Sequence, residues 1–227
     1  MVSPAAIVFD VNETLSDMNG LSTRLADVGI AADTVAVRDW FTAVLRDGFA
    51  LTAAGGSADF SQIATDELQR RLAKVCSPAQ AQAAAHHMMD GLATLTVHPD
   101  VPEAIRSLHA HGFRLLTMTN GNAASTDRLL RQAGLREHFE LLLDSHAAHA
   151  WKPARAAYEH VLRESHLPAE QVLLAAVHPW DIDGARRAGL NAAWISRSAT
   201  GYPAYMTPPT LTAENLTDLA TLLLPAR

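Results

Sequence analysis

The hydrophobic pattern near the start of the chain predicts a short buried strand. Five apolar residues run from Ala5 to Phe9, and the run stops at the carboxylate of Asp10. An unbroken apolar run that ends in β-branched and aromatic residues is typical of a parallel strand buried on both faces. In an open parallel sheet, ligands bind at the carboxyl ends of the strands. Asp10 is therefore placed where a nucleophile would stand, although an aspartate here could also simply cap the next turn.

The block that follows predicts helices. From about residue 17 to residue 90, apolar residues recur at spacings of three and four, as in Leu21, Leu25 and Val28. This spacing is typical of amphipathic helices. Breaks at residues 55–57 and 77–78 separate them. We therefore expect a helical cap subdomain over residues 16–93, inserted after the first strand.

From residue 94 onward the pattern alternates between strand and helix. Strands are predicted at 113–118, 140–143, 172–177 and 192–196, and helices at 101–110, 124–133, 182–188 and 215–224, with a further helix opening at Lys152-Pro153. Repeated strand–helix units of this length predict a parallel, doubly wound sheet. The expected fold is α/β, with residues 1–15 and 94–227 forming the core and the α-helical cap inserted into it.

Reactive side chains follow several predicted strands. They are Asp10, the pair Thr119-Asn120, Lys152, and the segment from His178 to Asp181. A lysine opposite an aspartate would keep the nucleophile ionised. The Thr119 hydroxyl and the Asn120 amide could bind an anionic group. The carboxylate of Asp181 could activate water to release a covalent ester.

The order of these residues resembles that of the haloacid dehalogenase superfamily, and the resemblance covers nearly the whole chain. The matching positions are Asp10, Thr14, Thr119, Lys152 and Asp181. The helical insertion resembles the cap of the type II 2-haloacid dehalogenases. Residues 119–121 (Thr-Asn-Gly) resemble their Ser-Asn-Gly, and residues 180–186 resemble their Trp-Asp-x-x-Gly-Ala-Arg/Lys segment.

Several departures from the superfamily pattern separate its branches. Phosphatases carry an Asp where this chain has Asn12, and a further magnesium-binding Asp where it has Val177. Magnesium prefers carboxylate oxygens, so the resemblance implies an enzyme without a metal or another cofactor. Type II dehalogenases carry Tyr-Gly in place of Asn12-Glu13 and Asn in place of His178.

The resemblance implies hydrolysis of short 2-haloacids to 2-hydroxyacids through an aspartyl ester on Asp10, with Lys152, Asp181 and Thr14 also catalytic. The implied substrate-binding residues are Thr119, Asn120, Arg38, Asn12, His178 and Trp180. Arg38 could instead be a solvated helix arginine. His178 either positions the hydrolytic water or the ester carbonyl, or only fills the space of the Asn. A small-molecule phosphatase and a catalytically silent binding protein remain the alternative functions.

Composition and charge limit the classes of binding partner that we expect. The 227 residues are 48% hydrophobic and 19% charged, with a net charge of −6. A negative balance argues against nucleic acid and anionic membranes as partners, and we expect a small anionic substrate, a 2-haloacid. Cys76 is the one cysteine, and no basic leader or apolar run of about 18 residues stands out. We therefore expect a cytoplasmic protein, and the type II relatives imply a homodimer.

Overall fold

The computed structural model describes residues 4–28, 34–197 and 201–224. The chain forms two compact units. One comprises residues 1–16 and 96–227, and the other comprises residues 17–95. The sequence predicts a cap over residues 16–93, so its start is predicted one residue earlier and its end two residues earlier than in the structure. We call the first unit the core unit and the second the helical unit.

The core unit contains a parallel six-stranded sheet, which confirms the predicted α/β fold. Its strand order is β5-β4-β1-β6-β7-β8, and each neighbouring pair is parallel. The strands are β1 Ala6–Phe9, β4 Arg114–Thr119, β5 Leu141–Asp144, β6 Val172–Ala176, β7 Asn191–Ile195 and β8 Leu211–Ala213. Two further short strands, β2 Ser16–Asp17 and β3 Thr96–Val97, form a separate two-stranded sheet.

Helices cover both faces of the large sheet. The core-unit helices are α5 Val101–Ala110, α6 Ala123–Gln132, α7 Ser145–Ala148, α8 Arg155–Ser165, α9 Pro179–Arg187 and α10 Leu216–Leu223. Ile7 and Phe9 of β1 belong to one hydrophobic cluster, with residues of α5 and α10. Ala6 and Val8 belong to a second cluster, with residues of α8 and α9. Because successive side chains of a strand point to opposite faces, an unbroken apolar strand requires cover on both sides.

The helical unit is described by itself. Its helices are α1 Leu21–Asp27, α2 Thr34–Ala53, α3 Phe60–Leu72 and α4 Pro78–Ala93. The apolar faces of α2 and α3 meet, and the Trp40 indole donates to the carbonyl of Ala64 at 3.0 Å. Ser77 begins α4 with a capping box to Gln80. None of the helices in the described ranges is long and apolar enough to cross a membrane.

Several element boundaries differ from the sequence prediction. Pro153 precedes α8 rather than opening it, because the helix begins at Arg155. Helix α9 begins at Pro179, three residues before the predicted start, so Asp181 lies in its first turn rather than in the preceding loop. Proline is favoured at this first position, since the missing N–H has no helical partner there. The four-residue α7 and the three-residue β8 are too short to show a periodic pattern.

Candidate active site

The register of the sheet brings the candidate residues to one edge. Phe9, the last residue of β1, pairs with Thr117 of β4 on one side and with Ala175 of β6 on the other. The Asp10 amide continues the β6 ladder by donating to the carbonyl of Ala175 at 3.0 Å. The residues that follow these three central strands therefore converge around Asp10, as expected for carboxyl ends of parallel strands.

A buried lysine joins two carboxylates at this edge. The Lys152 ammonium donates to Oδ1 of Asp10 at 2.9 Å and to Oδ2 of Asp181 at 2.6 Å. Lys152 and Asp181 are fully buried, and Asp10 is 4% exposed. An ammonium offers three donors and no acceptor, so one lysine can hold both carboxylates at once. The sequence predicted this cation for Asp10, and the structure brings the pair together.

The protonation states follow from these contacts. Burial alone would raise the pKa of Asp10, but the Lys152 charge and the hydrogen bond from His178 outweigh it and hold that pKa well below its usual range. Burial opposes the charged form of Lys152, yet Asp10 and Asp181 raise its pKa above the ordinary value. Burial, with the nearby charge of Asp10, raises the pKa of Asp181 against the effect of Lys152. Asp10 is therefore held ionised at neutral pH.

Thr14 ties the end of β1 to the end of β6. Its hydroxyl donates to Oδ2 of Asp10 at 2.8 Å and accepts from the Val177 amide at 3.1 Å. The turn between Asp10 and Thr14 contains Glu13, whose φ is 63°. A non-glycine residue in this left-handed region costs about 1–2 kcal/mol, and such residues persist where their surroundings hold them.

His178 lies between two carboxylates. Its Nδ1 is 3.2 Å from Oδ2 of Asp10, and its Nε2 is 2.9 Å from Oε2 of Glu13. The two hydrogen bonds raise the pKa of His178 to about 9, although burial alone would lower it. The imidazole stacks on the Trp180 ring at 4.9 Å between centroids, and the Lys152 ammonium lies 6.0 Å from that ring.

The donors around Asp10 do not fit a magnesium site. Its two oxygens face the Lys152 ammonium and the His178 ring, which are cationic donors rather than oxygen ligands. Val177 offers no ligand where a further carboxylate would be needed. Across residues 4–28, 34–197 and 201–224, no cluster of three or more His, Cys, Asp or Glu side chains is arranged to hold a metal ion.

The comparison with known families agrees with this geometry. A family model described as a haloacid dehalogenase-like hydrolase matches residues 4–189. The chain belongs to the haloacid dehalogenase-like hydrolase family. The resemblance drawn from the sequence motifs is thereby confirmed at the level of the superfamily.

Individual relatives match over nearly the whole chain. It is 23% identical over 218 residues to (S)-2-haloacid dehalogenase H-109 of Pseudomonas putida, covering 96% of this chain and 97% of that protein. It is 26% identical over 220 residues to (S)-2-haloacid dehalogenase 1 of Pseudomonas sp. strain CBS-3, covering 96% of each. The solved L-2-haloacid dehalogenase of Xanthobacter autotrophicus with chloropropionic acid covalently bound has a TM-score of 0.86 at 19% identity, covering 97% and 98% of the two chains. This structural likeness shows a shared fold.

Two of the residues predicted to bind substrate, Asn120 and Thr119, contact the backbone of the chain. The Asn120 carboxamide binds the backbone of Lys152 at both ends, accepting from its amide at 2.8 Å and donating to its carbonyl at 3.0 Å. The Thr119 hydroxyl is buried and accepts from the Gly121 amide at 2.9 Å. Asn12 is half-buried in the turn after β1. Arg38 is exposed on α2 of the helical unit, and its role in halide binding stays a prediction.

Sequence reasoning missed two residues that complete the site. The Tyr158 hydroxyl is 2.7 Å from Oδ1 of Asp181, and burial with the nearby Asp181 charge raises the Tyr158 pKa well above its usual value, so the hydroxyl stays protonated. Glu13 is the partner of His178. Tyr158 carries no signal in the sequence, because helix α8 reaches Asp181 only through tertiary packing. Glu13 lies between the predicted site residues Asn12 and Thr14. A carboxylate at that position is the sequence feature that could have identified it as part of the site.

Proposed function

We propose that this chain is a metal-independent hydrolase that removes halide from short 2-haloacids and releases 2-hydroxyacids. The observation that carries the proposal is the buried Lys152 ammonium, which holds Asp10 ionised at 2.9 Å while also binding Asp181 at 2.6 Å. Membership of the family and the names of the full-length relatives support the same substrate class. The absence of an acid at Asn12 favours a halide leaving group, because a halide leaves without a proton.

The first step is displacement at carbon. The Asp10 carboxylate attacks the α-carbon of the haloacid, a C–O bond forms, and halide leaves with the bonding electrons. Lys152 keeps Asp10 ionised, and Thr14 fixes its orientation through the 2.8 Å hydrogen bond. Asn120 contributes indirectly, because its carboxamide clamps the backbone of Lys152.

The second step is hydrolysis of the aspartyl ester. Water attacks Cγ of Asp10, and one of its protons passes to the departing alkoxide of the hydroxyacid. The other proton is released when Asp10 re-ionises beside Lys152. Asp181 is placed by Lys152 and Tyr158 to accept a hydrogen bond from this water. Asp10 thus gains one oxygen from water in each turnover.

A substrate panel tests the proposal. Chloro-, bromo- and fluoroacetate and both 2-chloropropionate enantiomers are assayed for halide release, beside a generic phosphate monoester with magnesium. We expect halide release that EDTA does not inhibit. Phosphate release that requires magnesium, without halide release, would assign the chain to the phosphatase branch. No turnover in either arm, with a folded protein, would favour a silent binding protein.

Isotope labelling tests the nucleophile. A single turnover in heavy-oxygen water should place the label in Asp10 and none in the hydroxyacid, and Asp10→Asn should abolish halide release while the protein stays folded. Label found only in the product would show that water attacks carbon directly.

Two further parts of the proposal concern the oligomeric state of the protein and its location in the cell. We propose a homodimer and a cytoplasmic location, supported by the type II resemblance and by the single cysteine. Sedimentation equilibrium tests the first, and a monomeric mass at micromolar concentration would refute it. Fractionation of cells that express the chain tests the second.

A further inference from the structure

The two oxygens of Asp10 have different surroundings, and the difference has a chemical consequence. Oδ1 accepts from the Lys152 ammonium at 2.9 Å. Oδ2 accepts from the Thr14 hydroxyl at 2.8 Å and lies 3.2 Å from Nδ1 of His178. Two donors on Oδ2 withdraw more of its electron density than one donor withdraws from Oδ1. Oδ1 is therefore the better nucleophile, and Oδ2 becomes the carbonyl oxygen of the ester.

The geometry also determines the charge of His178. Nδ1 faces the Asp10 carboxylate and Nε2 faces the Glu13 carboxylate. Ionised carboxylates only accept hydrogen bonds, so both ring nitrogens must carry a proton, and such a ring is an imidazolium. A pKa of about 9 agrees with this assignment. An imidazolium donates from both nitrogens and cannot act as a general base.

We propose that the His178 imidazolium and the Thr14 hydroxyl form the oxyanion hole for hydrolysis of the Asp10 ester, and that Glu13 is a positioning residue that keeps His178 charged and aimed. This inference rests on the proposed function. When water attacks Cγ, the π electrons of the carbonyl move onto Oδ2. Its two donors already lie within hydrogen-bond distance, as stabilisation of such a charge requires. The intermediate then collapses, Oδ1 leaves with the hydroxyacid, and Oδ2 stays on Asp10.

The surrounding charges are consistent with this role. Asp10 approaches His178 from the end of β1, and Glu13 approaches it from the turn that follows. Lys152 and Asp181 lie on the other side of Asp10, where they contact each other at 2.6 Å. Once Asp10 becomes a neutral ester, Glu13 still presents a carboxylate to the ring at 2.9 Å. Glu13 therefore becomes most important in the second step.

Rapid-quench kinetics with intact-protein mass spectrometry test the proposal. The ester on Asp10 is followed after a single addition of a 2-haloacid. His178→Ala should slow ester breakdown by about 100-fold, as expected for loss of one oxyanion donor, so the adduct accumulates while the first halide burst persists. His178→Asn, which retains a neutral donor, should fall between this variant and the wild type.

The pH dependence separates a positioning role for Glu13 from a purely structural one. Ester breakdown in the wild type should decline at alkaline pH as His178 loses its proton. In the ester this pKa lies below the value of about 9 that the ring has beside ionised Asp10, because the charge of Asp10 is gone. Glu13→Gln should move this decline to lower pH, whereas Glu13→Asp, which keeps the carboxylate, should leave the decline near its wild-type pH. His178→Asn has no titrating ring and should show no such decline. The exposed residues His111 and Glu103 supply matched controls, and His111→Asn and Glu103→Gln should leave the profile unchanged.

The outcomes distinguish this inference from the proposed function. A wild-type protein that forms no adduct and releases no halide overturns both. A wild-type protein that forms the adduct, with a His178→Asn or His178→Ala variant that breaks it down as fast, overturns the oxyanion hole and leaves the dehalogenase proposal standing. An unmoved alkaline limb in Glu13→Gln overturns the role of Glu13.

Discussion

Replacement of Lys152 by methionine should destabilise the protein strongly at neutral pH. Methionine keeps most of the volume of lysine but removes the ammonium that contacts Asp10 and Asp181. Both carboxylates are buried and lose the lysine cation in the variant, although Asp10 still contacts His178. Breaking a buried ion pair by removing one partner costs about 3–5 kcal/mol. We expect a loss of that size in the free energy of unfolding at pH 7, or a fall of roughly 10 °C in Tm.

The pH dependence of this loss has a definite sign. In the wild type, the depressed pKa of Asp10 contributes stability that is present above the unfolded pKa and lost as the pH falls through the folded pKa. In the variant, Asp10 keeps its contacts with His178 and Thr14 but loses the Lys152 charge, so its pKa rises relative to the wild type and the ionised form is less stabilised. The difference between the two proteins should therefore be largest near neutral pH and shrink as the pH falls toward about 4.

Urea unfolding between pH 4 and pH 8 provides the assay. The chain contains one other lysine, Lys74, which is exposed, and Lys74→Met should change the free energy of unfolding by less than about 0.5 kcal/mol. Asp10→Asn combined with Lys152→Met should be less destabilised than Lys152→Met alone, because one unpaired charge is gone. A loss under about 1 kcal/mol at pH 7, or one independent of pH, would refute the reasoning.

Two further predictions concern the support behind Asp181. Tyr158→Phe leaves a buried carboxylate oxygen without its donor and should cost about 1–3 kcal/mol in urea unfolding, whereas Tyr205→Phe, at an 82% exposed position, should have no measurable effect. Equal effects of the two substitutions would contradict this account. Gly184→Ala places a Cβ 2.5 Å from the Tyr158 hydroxyl and 2.7 Å from Cβ of Pro153, so we expect a loss of about 1–3 kcal/mol and slower halide release. Gly20→Ala meets no atom within 4 Å and serves as the control, and a Gly184→Ala variant as stable as the Gly20→Ala variant would show that the helices accommodate the methyl group.

The sequence alone was sufficient for the class of fold and for the positions of the main reactive groups. The unbroken apolar run before Asp10 predicts a strand covered on both faces, and β1 contributes alternate residues to two separate clusters. Parallel strands present their carboxyl ends at one edge, so residues after β1, β4 and β6 had to converge. The contact between Lys152 and Asp10, 142 positions apart, follows from that topology together with the family motif.

Tertiary structure decided what those groups contact and how they are charged. The role of Asn120 in substrate binding stays a prediction, and only the packed chain shows that its carboxamide also holds the Lys152 backbone. Tyr158 reaches Asp181 because α8 packs beside α9, and no spacing in the sequence reports that contact. His178 could be neutral or charged on sequence grounds. Its charge depends on the two carboxylates that approach its two nitrogens in space, because the protonation of a histidine is determined by its hydrogen-bond partners and its burial rather than by its neighbours along the chain.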